Sequence, residues 1–192
     1  MSQKPKYQLE LVLDYALPVV LERGFAGCNM QTLLEKTGFN RRAFYQHFDT
    51  KIRFFEALVA HYIEHKLNPL FSQFSTGSSV YQSISSYFNA YEKVITPNGC
   101  LLVKMLMEVG HQSETIQGLG RHFYDNLTQQ LIGTLEKAQI SGELSPQLNV
   151  EKEALQLTFL TQSFAVSANL KQGKEDIHTL IQALFESPAT SI

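Results

Sequence analysis

Three observations predict an all-α fold. Apolar residues recur at three- and four-residue spacing along nearly the whole chain, and no stretch alternates long enough to line one face of a sheet. Turn residues also cut the sequence into helix-length pieces. Leu9, Val12, Leu13, Ala16 and Val20 share one face of a first helix, which Gly24 should end. Pro18 lies inside it and should kink it, at a cost of about 3 kcal/mol unless packing compensates. Asn29 is placed to cap a short helix over 30–36, Gly38 to turn the chain, and Asn40 to cap a third helix from Arg41 to about His47. A fourth starts near Thr50, bends at Pro69 and runs toward Phe74. After a loop over 75–79, further helices are expected near 80–95, 99–110, 114–140, 149–171 and 175–186, divided by Pro97, His111 and the 142–146 turn. The expected division is a reading head over 1–50 and a larger helical domain over 51–192.

Composition narrows the function classes. The apolar runs are far shorter than a membrane-spanning helix needs, and the polar start MSQKPKYQLE lacks a signal-peptide core, so a cytoplasmic location is expected and no membrane partner. Cys28 and Cys100 are too few for a disulfide framework or a structural zinc site. An enzyme is not expected. GLGRHF at Gly118 lacks the third glycine of a phosphate loop and sits in helical sequence, and neither G-x-S-x-G nor H-E-x-x-H occurs. His61 and His65 could share a metal at i, i+4 spacing, but without a third ligand a solvated face is the plainer reading. No cofactor and no metal are therefore expected. The net charge is −2, with nine Lys or Arg against seven acidic residues in 1–66 and seven against eleven beyond, so the basic end is the first.

That basic end reads as helix, tight turn, helix. In a DNA reader of this kind the second helix enters the major groove with its first residues at the base edges. Arg41 and Arg42 occupy that first turn, and Tyr45 and His47 supply donors one turn later. Lys51 opens the next helix. Phe25, Leu33, Leu34, Phe39, Phe44 and Phe48 offer the core that sets the helix pair. The same spacing also fits an ordinary helical hairpin with a solvated arginine pair.

The stretch VLDYALPVVLERGFAGCNMQTLLEKTGFNRRAFYQHFDTK, with its ERGF turn, TG turn, FYQHF signature and following lysine, resembles the N-terminal domain of TetR-family transcriptional repressors. The resemblance implies that Arg41, Arg42, Ala43, Tyr45, His47 and Lys51 face DNA, with the aromatic and the lysine on phosphates; Asn29 and Asn40 are counted with them. Three residues depart from the pattern: Cys28 where a phosphate-touching Thr is common, Arg42 where a small residue is common, and Ile52 in place of Glu. Arg42 should alter base preference.

The resemblance further implies a C-terminal helical domain that holds a small-molecule effector and pairs with a second subunit through its last two helices. The partners it implies are a palindromic DNA operator, an effector and a second copy of the chain, joined through helices near 149–171 and 175–186. Ile177, Leu180, Ile181, Leu184 and Phe185 form one apolar stripe, and Ala154, Leu157, Phe164, Ala165 and Ala168 another. The alternative is that both stripes are protomer core. Thirteen Phe and eight Tyr without a Trp suggest an aromatic-lined cavity, with Phe88, Tyr91, Met105, Met107, Phe123, Tyr124, Phe159 and Phe164 as candidates beside Cys100. Ordinary core packing is the alternative for each.

The segment NGCLLVKMLMEV resembles the N-ethylmaleimide reductase repressor branch of that family, which responds to electrophiles and oxidants. If Asn98 or Gly99 caps the helix, Cys100 lies in its first turn, where the helix dipole and Lys104 at i+4 would favour thiolate. A small buried apolar residue is the competing use of Cys100. The contrasting reading for the whole chain is a helical protein-interaction module without DNA binding.

Overall fold

The computed structural model describes residues 8–95, 98–169, 179–182 and 185, and among them every regular element is helical. Helix α1 (Leu9–Gly27) buries Val12, Leu13, Ala16, Leu17 and Val20. Its dihedrals stay helical through Pro18, contrary to the expected break there, and the only non-helical residue is Gly24 at φ 68°. Pro18 lies on the exposed face, where water can serve the carbonyl it leaves unbonded. Gly24 therefore reverses the chain as expected.

Two eight-residue helices follow, α2 (Met30–Thr37) and α3 (Arg41–Phe48), joined through Gly38 in the left-handed region. Helix α4 (Lys51–Tyr62) starts on a Thr50 cap and passes into a π turn over Ile63–Leu67 and a 3-10 segment over Asn68–Ser75. Pro69 sits at the start of that last segment, where its missing amide breaks no helix bond. The remaining helices are α5 (Val80–Ile95), α6 (Leu101–Val109), α7 (Glu114–Ile140) and α8 (Val150–Asn169). Residues 179–182 are helical too. Ile177 and Leu184 of the last expected stripe lie outside the described residues.

The core is continuous from the small head to the larger bundle. Phe44 and Phe48 of α3 pack on Phe54 of α4 at ring distances of 5.2 and 5.0 Å. Phe54, Phe55, Leu58 and Val59 are fully buried and carry that core onward along α4. Helices α7 and α8 lie together, and a Thr128–Thr158 hydroxyl contact of 2.9 Å crosses them. Helix α6 packs on α1, α4 and α7, so it touches both the head and the bundle. Gly120 of α7 permits its approach, since a side chain there would press on Leu106. Among the described residues no helix is long and apolar enough to cross a membrane.

Candidate functional site

The head presents one polar face. Asn29 and Asn40 cap their helices, each side-chain oxygen accepting an amide at 2.8 Å, from Thr32 and Ala43 respectively. Both caps satisfy amides that a helix start would leave unbonded. Burial of Phe44 and Phe48 fixes the rotation of α3 and turns Arg41, Arg42, Tyr45 and His47 outward. Tyr45 is 42% exposed although aromatic. Ala43 packs partly against the core. Gln46, which the sequence reading passed over, is exposed on the same helix; its position one turn after Arg42 was the available signal. Lys51 does not point freely to solvent. Its ammonium donates to the Phe25 carbonyl at 2.6 Å and lies 4.1 Å from the Phe25 ring centre. Partial burial lowers its pKa.

A second cluster lies inside the bundle, where five helices converge. Tyr62 comes from α4, Tyr87 and Tyr91 from α5, Cys100 from the start of α6, Tyr124 from α7, and Thr161 and Phe164 from α8. Tyr87 and Tyr91 stack at 6.0 Å, and Tyr91 meets Phe164 at 6.3 Å. The Tyr62, Tyr87 and Tyr91 hydroxyls are buried without a hydrogen-bond partner at bonding distance and angle. The polar groups within electrostatic reach include the Cys100 thiol and Leu101 amide for Tyr62, Thr161 and Cys100 for Tyr87, and Cys100 for Tyr91, with Tyr124 near all three. Burial holds all three phenols far above the usual tyrosine range, so they remain O–H donors. Tyr62, Tyr87 and Thr161 are absent from the sequence-based list. The i, i+4 relation of Tyr87 to Tyr91 could have indicated one of them, but only the packing of α4 brings in Tyr62.

Cys100 behaves differently from the activated thiol that its position suggested. It is itself the residue preceding α6, with extended backbone, and it is only 2% exposed. Burial pushes the thiol up, opposed only in part by the Val103 amide and the Tyr91 and Tyr62 hydroxyls. The Lys104 ammonium does not fold back to the sulfur and donates instead to the Leu21 carbonyl of α1. Cys28 is likewise fully buried, with its thiol raised by burial.

Two family models describe this chain. Residues 12–58 match the bacterial regulatory proteins of the tetR family, and residues 79–184 match the tetracyclin repressor-like C-terminal domain. The chain belongs to the TetR family. It is accordingly a DNA-binding transcription regulator and not an enzyme. The HTH-type transcriptional repressor ComR of Escherichia coli (strain K12) is 26% identical, over 86% of this chain and 81% of its own length. The regulator YezE of Bacillus subtilis (strain 168) is 24% identical, over 96% and 100%. Among solved structures, a cysteine variant of CifR complexed with operator DNA superposes with a TM-score of 0.81 at 16% identity, covering 97% of this chain and 100% of that one. The reduced form of Escherichia coli NemR gives 0.78 at 22% identity, over 94% and 98%.

Phe159 and Met107, expected in the cavity, are 54% and 79% exposed, and Met107 lines an open surface groove together with Tyr124. Phe88, Met105 and Phe123 are buried, with Phe123 stacked on Phe71. The α8 stripe expected to meet a second subunit is also corrected: Ala154, Leu157, Phe164 and Ala165 face the protomer's own core. The outward apolar face of α8 is instead Leu155, Phe159 and Val166. Val166 borders a surface groove of about 330 Å³ between α6, α7 and α8, whose wall includes Tyr124. His61 is buried and bonds to Asp14 at 2.9 Å, so it is not part of a solvated face. Among the described residues no group of three or more His, Cys, Asp or Glu could hold a metal ion.

Proposed function

We propose that this regulator is a repressor that binds an inverted-repeat operator as a homodimer and leaves it when the tyrosine cluster takes up a small molecule or Cys100 is modified. The observation that carries the DNA half is the rotation of α3. With Phe44 and Phe48 buried, Arg41, Arg42, Tyr45 and His47 form one exposed donor-rich face. Guanidinium forks suit guanine edges, and the other donors suit phosphates. The proposed units are a head over 1–50 and an effector and dimer domain over 51–192. Lys51 at their boundary would reach a phosphate only by leaving the Phe25 carbonyl.

Buried phenol donors that meet no acceptor at bonding distance and angle favour an oxygen-bearing ligand with an apolar body, contacting Tyr91, Phe164 and their neighbours. Such a ligand can lower DNA affinity only by binding better to the conformation that does not fit DNA. For the pairing of subunits, Leu155, Phe159 and Val166 form an exposed apolar row on α8, at the spacing of helix-to-helix contacts.

The test begins with duplexes selected by the wild-type protein from a randomised library. Arg41→Ala or Arg42→Ala should then cost about 1–3 kcal/mol and relax sequence preference. The logarithm of affinity should fall linearly with the logarithm of salt concentration. Unchanged binding in both arginine variants would place the reading helix elsewhere, and selection of no duplex would favour a protein-interaction module.

A further inference from the structure

Helix α6 holds the end of α1 from both sides of Gly24. On the helical side, Lys104 donates its ammonium to the Leu21 carbonyl, one of the terminal carbonyls that an α-helix cannot bond internally. Beyond the reversal, the Glu108 carboxylate accepts the Phe25 amide at 2.6 Å and the Ala26 amide at 3.4 Å. Lys104 and Glu108 are four residues apart, hence on one face of α6 and separated by about one turn, or 5.4 Å. The arrangement has a sense. A cation meets a carbonyl and an anion meets amides, so sliding α6 by one turn along α1 would bring like against like.

The opposite end of α6 begins at Cys100, among Tyr62, Tyr91 and Tyr124. Nine helical residues span about 13 Å, so one short helix reaches from the tyrosine cluster to the head. We propose that Lys104 and Glu108 are positioning residues for DNA binding, which seat α1, and through α2 packed on it the helix-turn-helix reader, in a fixed register on α6. This rests on the operator reading given above. Neither residue touches the polar face of α3, so their effect should appear in the placement of the two readers and not in the number of phosphate contacts.

The experiment uses an inverted-repeat duplex selected by the wild type, together with copies in which the half-site spacing is one base pair longer or shorter. The wild type should discriminate against altered spacing by about tenfold or more, within the usual range of coupling between sites, and Glu108→Ala or Lys104→Ala should compress this to about threefold, below that range. Glu108→Gln keeps an oxygen acceptor and should restore most of the discrimination, and the salt slope should be the same in all variants. Exchange of the Phe25 and Ala26 amides should quicken in Glu108→Ala. If that variant does not fold, Lys104→Ala tests the same grip from its other side. Wild-type discrimination in both alanine variants, or unaltered amide exchange, overturns the positioning role while the operator reading stands. A wild type that selects no spaced half-sites overturns the operator reading, and the positioning role with it.

Discussion

Phe25 and Glu108, separated by 83 residues, are joined by a 2.6 Å hydrogen bond from a backbone amide to a carboxylate. Gly24 makes the bond possible. Its φ of 68° turns the following amides toward α6, and a side chain at this position would overlap the Glu108 carboxylate. Gly24→Ala should therefore cost at least the roughly 1–2 kcal/mol of placing an L residue in the left-handed region. Urea unfolding measures this. The penalty should shrink in a Glu108→Ala background, because the collision is gone and only the backbone strain is left. Equal penalties in both backgrounds would deny the contact.

Asp14 and His61 tie α1 to α4 by a 2.9 Å contact. The hydrogen bond from His61 is the main reason that the Asp14 carboxyl sits below its ordinary value of 3.8. A depressed carboxyl stabilises the fold fully above the ordinary value and loses that contribution as pH falls through the lowered one. Wild type should thus exceed Asp14→Asn in stability at pH 5 to 6, by less than about 1 kcal/mol because the carboxylate is half exposed. The gap should close below about pH 4. Stability curves that run parallel through the acid range would rule this out.

A thiol raised by burial should react slowly at neutral pH. Alkylation of Cys100 by iodoacetamide, followed by mass spectrometry, should be slow in the folded protein at about pH 7, and faster as pH approaches and passes the ordinary thiol value of 9.0. Rapid stoichiometric labelling at pH 7 would contradict the burial of this thiol. Operator release by a quinone or an oxidant in wild type, absent in Cys100→Ser, would establish modification as a trigger.

The unbonded phenols give a stability test that separates binding from packing. Tyr87→Phe removes a buried hydroxyl that lacks a partner, so unfolding free energy should hold within about 0.5 kcal/mol or rise. Phe164→Ala, by contrast, empties part of the cluster and should cost about 3–5 kcal/mol. A loss of more than about 1 kcal/mol in Tyr87→Phe would mean that its hydroxyl is satisfied in solution.

Phe159 is 54% exposed, so Phe159→Glu should leave the protomer's thermal unfolding nearly unchanged. If Leu155, Phe159 and Val166 form the subunit contact, the same change should shift sedimentation from dimer to monomer. A Phe159→Glu protein that sediments like wild type would assign the pairing to another surface.

The helix-turn-helix was legible in the chain because its determinants are local. Asn29, Gly38 and Asn40 act on backbone groups within three residues, and the spacing of Phe44 to Phe48 alone dictates which side of α3 is buried. Helix order and most boundaries follow from the same short-range rules. The long-range face of α8 was not legible. Its apolar residues occur on both sides, so periodicity could not say that Ala154 and Leu157 turn inward while Phe159 and Val166 turn out.

By itself, then, the sequence determined an all-helical regulator with a reading helix at 41–48, through caps, turns and a family signature that need no distant partner. Tertiary structure alone decided the state of the charged and polar groups between distant elements. Lys104 is four residues beyond Cys100, the residue that precedes α6, yet its ammonium goes to Leu21, because a terminal carbonyl at the end of α1 offers a stronger acceptor than a buried neutral thiol. Lys51 is drawn to the Phe25 carbonyl for the same physical reason, whereas Tyr62 comes beside Cys100 only through the packing of α4 on the bundle. Burial and hydrogen-bond satisfaction depend on which surfaces pack together, and spacing along the chain does not encode that.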